Sequence, residues 1–143
     1  MTPNSKTVVI AQNNTTNTLT VLTGTVDTRG FSHAKIICIS GSNTSAAAGT
    51  NNKVEDADAA TGTFATFAGF VQGTDWTGST ATASTANAFV AYSIPLVGRK
   101  RYLKVTASQQ GTAISTVIVA ELSRAADAIN SASEAGANNG VGF

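Results

Sequence analysis

The stretch Lys100-Arg101-Tyr102-Leu103-Lys104-Val105-Thr106-Ala107 alternates with a period of two. Arg101, Leu103, Val105 and Ala107 fall on one side, and Lys100, Tyr102, Lys104 and Thr106 on the other. A helix would spread these positions around a 3.6-residue turn, whereas a half-buried strand gathers Leu103, Val105 and Ala107 on one face. Ser108-Gln109-Gln110-Gly111-Thr112 follows and reads as a hairpin turn into the run Ala113 to Leu122, which is apolar on both faces. The preceding run, Ala88 to Leu96, has the same strand character.

Working towards the N-terminus, the pattern repeats. Phe31 to Ser40 sets Phe31, Lys35, Ile37 and Ile39 against Ala34, Ile36 and Cys38. Two largely apolar faces predict a strand in the middle of a sheet. Residues 18 to 28 place Leu19, Val21 and, past a break at Gly24, Val26 among threonines, and Arg29-Gly30 reads as a turn. Lys53 to Ala57 and Gly62 to Phe70 are further strand candidates, and residues 6 to 11 are a strand or an arm. Residues 41 to 52 are small and polar and read as a long surface loop. Gly73 to Ala86 reads as a loop anchored by Trp76.

About eight strands with Gly- and Asn-rich connections predict an all-β chain: a single antiparallel β-sandwich, jelly-roll-like, with an immunoglobulin-like sandwich as the close alternative. The expected layout is an N-terminal arm or edge strand over 1–17, the sandwich over 18–123, and a flexible C-terminal arm over 124–143. In that last stretch Ile129 is the one large internal apolar residue before the tip Val141-Gly142-Phe143. Such a tail has too little to bury to offset roughly 1–2 kcal/mol per residue of backbone ordering. It is expected to order on a partner, with Phe143 as its anchor.

Composition supports the same class. The 143 residues are 42% hydrophobic but only 12% charged, about half the charge usual in soluble domains. Thr, Ser, Asn and Gly must supply the polar surface, and these residues suit strands and turns better than helices. Low charge also suits a subunit that hides surface in an assembly. The doubly apolar strands at Ile36 to Ile39 and Val117 to Leu122 predict self-association through sheet faces or edges.

Several function classes lose support. A net charge of +1 gives no field to steer the chain to nucleic acid or an anionic membrane. The N-terminal segment lacks the basic-then-apolar pattern of a signal peptide, so synthesis in the cytoplasm without cleavage is expected. Cys38 is the single cysteine and His33 the single histidine. Spaced five apart on one strand they face opposite ways, which argues against a Cys/His dyad. Glu55, Asp56 and Asp58 lie close together, but without the EF-hand pattern they read as a solvated acidic face. No phosphate-binding glycine motif occurs. The expectation is a non-enzyme with no cofactor, metal or small-molecule substrate.

Two features invite an interaction role. Arg99-Lys100-Arg101 reads either as a solvated strand edge or as a docking group for an acidic neighbour, since Arg grips carboxylates with a two-pronged fork. Trp76 reads equally as a lid on the chain's own core or as an interface anchor.

A family resemblance rests on Val26-Asp27-Thr28-Arg29-Gly30-Phe31, on Gly69-Phe70-Val71-Gln72-Gly73-Thr74, and on Leu96-Val97-Gly98-Arg99-Lys100-Arg101-Tyr102-Leu103-Lys104-Val105 with Ala120-Glu121-Leu122-Ser123-Arg124-Ala125. Over roughly residues 20 to 126 the chain resembles the small proteins of tailed bacteriophages that decorate or cement the head. The resemblance implies a β-sandwich subunit on the capsid exterior of the virion, a homotrimer bound to major capsid protein where capsomers meet. The rival is a tail-associated or receptor- or glycan-binding virion module. That rival needs grouped exposed aromatics, and aromatics are only 6% of the chain.

Overall fold

In the computed structural model, residues 5–13, 21–40, 51–77, 88–108 and 116–124 are described. They form eight strands and, among the described residues, no helix: β1 (Ser5–Asn13), β2 (Val21–Asp27), β3 (His33–Ser40), β4 (Lys53–Ala57), β5 (Ala65–Val71), β6 (Ala88–Pro95), β7 (Tyr102–Ser108) and β8 (Thr116–Ser123). Two four-stranded sheets, β1-β8-β3-β6 and β2-β7-β4-β5, pack face to face. Every pairing is antiparallel.

The chain is an all-β sandwich, and its topology separates the two alternatives. β1 pairs with β8, β2 with β7, β3 with β6 and β4 with β5, a nested ribbon. Rolling that ribbon up brings β8 beside β3 and β7 beside β4. This is the jelly roll, two Greek keys of four strands each. The immunoglobulin arrangement, with its four- and three-stranded sheets, is excluded.

Alternation puts one side of each strand inward. Ala34, Ile36 and Cys38 of β3, Ile118, Ala120 and Leu122 of β8, and Tyr92 and Ile94 of β6 meet Leu22 and Val26 of β2, Val54 of β4, and Leu103, Val105 and Ala107 of β7. Ile36, Ile94, Leu103, Ile118 and Leu122 lose all contact with water. Each such side chain contributes about 1.5–3 kcal/mol by leaving water. β3 is an interior strand, as its two apolar faces predict.

Three expectations need correction. Ser108 to Thr112 does not join a hairpin: β7 and β8 lie in different sheets, so the chain crosses between layers after Ser108. Residues 109–115 themselves lie outside the described set. Phe31 is not on the outer face of β3. Its N–H donates to the Thr28 carbonyl at 3.1 Å, which keeps it in the inter-sheet corner, where it packs against the core. The cations at 99–101 guard no edge, since β7 is an interior strand.

The corner is fastened from both sides. Thr28, buried, donates to the Arg101 carbonyl through its backbone N–H at 3.0 Å and its hydroxyl at 2.7 Å. The Leu96 N–H reaches the Ser32 carbonyl at 2.8 Å, and the Ser32 N–H reaches that of Ser123 at 3.0 Å. In edge strand β1 the register shifts between Val9 and Ala11. There Gly24 of β2 lies so near the β1 backbone that no side chain would fit.

Candidate functional site

The turn from Leu96 to Arg99, closed by the Arg99 N–H on the Leu96 carbonyl at 3.0 Å, delivers the three cations to the start of β7. Gly98 has φ +78°, a conformation glycine adopts without strain. Because β7 runs between β2 and β4, the cations part. Arg101 forks Asp27 of β2, Nε to Oδ1 at 2.9 Å and Nη2 to Oδ2 at 2.6 Å. That grip holds the Asp27 carboxyl down at about 2. Arg99 lies 4.5 Å over the Phe67 ring and 3.9 Å from Asp56. Lys100 donates its backbone N–H to Asp56 at 3.3 Å and sets its ammonium 3.7 Å from Asp58. Each cation has a carboxylate of its own chain, so the three do not form one open basic patch.

The acidic strand β4 is not a solvated face. Glu55 and Asp56 are buried, and only Asp58 is exposed. Glu55 points to the outer face of the second sheet, where Lys53 and Lys104 each pair with it at 3.0 Å and Lys104 also lies 4.7 Å above the Phe64 ring. Burial pushes its carboxyl up, but the two ammonium groups together outweigh that and hold it below the usual range. Asp56 points inward, against the turn. Among the described residues no group of three or more His, Cys, Asp or Glu side chains is placed to hold a metal ion.

Trp76 is placed as a lid. The turn from Val71 to Trp76 is tied by Asp75, whose N–H reaches the Val71 carbonyl at 2.8 Å and whose carboxylate accepts the Val71 N–H at 2.9 Å. Trp76 then meets Tyr92 edge-on at 6.0 Å, Tyr92 meets Phe70 at 6.0 Å, and Phe70 meets Phe67 at 5.1 Å. These rings close the side of the sandwich between edge strands β5 and β6. Burial raises the Tyr92 phenol well above its ordinary value. Tyr102 lies under Arg101, 4.9 Å from its guanidinium. The three side chains Trp76, Tyr92 and Tyr102 form no shared platform for a sugar ring.

The outer face of the first sheet differs in kind. Register aligns Val9, Val119, Ile37 and Ala91 in one row across β1, β8, β3 and β6, and Gln12, Val117 and Ile39 in the next across β1, β8 and β3. Val9 is 56% exposed and Ile39 43%. The following row is Thr7, Glu121, Lys35 and Ser93, with Lys35 and Glu121 paired at 3.7 Å. Beyond it His33 shares a hydrogen bond with Ser93 at 2.9 Å. The doubly apolar character of β3 and β8 signals part of this surface. The contribution of Val9 appears only once β1 is known to flank β8. Phe143 and the proposed arm lie outside the described residues.

No protein-family model, no curated protein and no solved structure matches the chain.

Proposed function

We propose that this chain is a structural virion protein that decorates and cements a bacteriophage capsid, bound to major capsid protein. The observation that supports this reading is the contrast between the two outer faces of the jelly roll. One is finished with an internal ion-pair group, Lys53, Glu55 and Lys104. The other leaves Val9, Ile37, Ile39, Val117 and Val119 in adjacent rows, half-buried or exposed. A contiguous apolar surface of this kind marks a protein contact. Jelly rolls recur in viral shells, a likeness of fold that supports this reading. The sequence blocks around Arg99 to Val105 point the same way.

A decorating subunit buries surface across capsomer joints and so raises the cost of separating them. Heads lacking the protein are expected to open at lower temperature and under milder osmotic shock than complete heads. Equal survival refutes the cementing role. Negative-stain images of virions with and without it locate it on heads, whereas loss from tails replaces this reading with the tail-module one.

A further inference from the structure

We infer that the apolar outer face of the β1-β8-β3-β6 sheet binds a second copy of this chain across a two-fold axis running along the strands between β8 and β3. This deepens the assembly reading above, on which it rests, by naming the occupant of that face.

The argument is one of self-complementarity. A two-fold axis in that position lays the order β1-β8-β3-β6 over its own reverse. Each row then faces itself, read backwards. The row Thr7, Glu121, Lys35, Ser93 puts Glu121 opposite the second copy's Lys35 and Lys35 opposite its Glu121. These are the charged residues of that face that the strands place beside the apolar rows, and they are of opposite sign. The row Val9, Val119, Ile37, Ala91 sets Val119 against Ile37 twice, and the exposed Val9 against the small Ala91. In the next row Val117 meets Ile39. An interface of this isologous kind requires residue i to meet j and j to meet i, and the register provides it.

Size and packing agree. Four strands at ~4.8 Å and four alternate rows at ~6.8 Å cover roughly 500 Å². Two copies together bury about 1,000 Å², near the lower bound of specific interfaces. An axis along the strands stacks the two sheets with their mean strand directions aligned, within the range of aligned face-to-face packing. The pairing is of two copies, where the family resemblance implies three.

Sedimentation of the full-length chain and its variants tests this. At tens to hundreds of micromolar the native chain is expected to be a dimer. I39K should be a monomer with an unchanged thermal transition. K35E and E121K should each weaken the dimer at least tenfold, because like charges then oppose each other across the axis. Mixing K35E with E121K should restore it as a heterodimer, and K35E/E121K in one chain should dimerise like the native protein. Loss of the exposed intrachain pair cannot produce that rescue by mixing. A native monomer, a trimer, or single variants that dimerise undiminished overturns the inference. So does a monomer that binds heads through this face and loses them in I39K, since the occupant is then capsid protein. A dimer that binds no heads leaves the pairing intact and refutes the decoration reading instead.

Discussion

Gly24 and Ile10 stand closer than any side chain allows: a Cβ built on Gly24 would lie 2.6 Å from the Ile10 carbonyl oxygen and 2.9 Å from the Ala11 Cβ. The contact lies at the shift in the β1 register, where the two sheets approach at the β1–β2 side. Ile10 backbone cannot move without disturbing the pairing of β1 with β8. G24A is therefore expected to cost about 1–3 kcal/mol, the range for overpacking. T25A, on the outer face one residue on, should change stability by less than about 0.5 kcal/mol. Urea unfolding of the two variants checks it, and equal midpoints would remove the steric account.

Acid should weaken the fold through two carboxylates. Asp27 is held down at about 2 against an ordinary 3.8 by the Arg101 fork, and Glu55 is held below its ordinary 4.5 despite its burial. A carboxyl whose folded value is depressed adds stability above its ordinary value and loses it as pH falls. The thermal midpoint should be level from pH 7 to about 5 and fall from about 4.5 towards 2. Asp27 is an exposed, screened pair and contributes the smaller part. E55Q should flatten the upper portion of the acid limb. An unchanged limb in E55Q would assign the acid sensitivity to other groups.

Cys38 points into the core, and desolvation pushes its thiol up to about 12. The thiolate is the reactive species, so native protein at pH 8 should resist a disulfide reagent that labels the unfolded chain at once. Labelling in partial denaturant should report opening of the sandwich. Prompt reaction without denaturant would show that β3 opens locally.

Leu103 is fully buried at the centre of β7, and Val97 at the tip of the neighbouring turn is 82% exposed. L103A is expected to cost about 2–5 kcal/mol, combining lost burial with the cavity left behind. V97A should be nearly silent. Calorimetry on both distinguishes a well-packed core from a loosely filled one, in which the two costs would converge.

The strands were legible because alternation depends on which side of each residue faces water. Leu103, Val105 and Ala107 share one face by alternation alone and all lie in the core, as do Ala34, Ile36 and Cys38. Pairing is another matter, since an apolar face does not specify which strand it lies beside. Ser108 to Thr112 has the composition of a hairpin turn, yet the strands on either side of it belong to different sheets, because neighbours in sequence need not be neighbours in a sheet. The cations at 99–101 are a related case. Their partners Asp27 and Asp56 come from strands far apart in sequence that only the rolled ribbon brings to either side of β7. Sequence places Glu55 in water because acidic residues usually are, but Lys53 and Lys104 let β4 keep it covered.

The nested ribbon also sets a timetable. Ser5 is paired with Ser123, and of the four ribbon pairs only β4 and β5 follow one another directly in the chain within a short turn. On a ribosome β1 emerges on the order of ten seconds before its partner, at about 5–20 residues per second. Until then β2 and β3 are likewise without β7 and β8. Apart from β4 with β5, each of these pairings closes over a long stretch of chain, and such long-range closure is slow, in milliseconds to seconds. During that interval the newborn strands have free edges, which makes the cell's chaperones, and the concentration at which the chain is made, part of how much of it ever reaches an assembly.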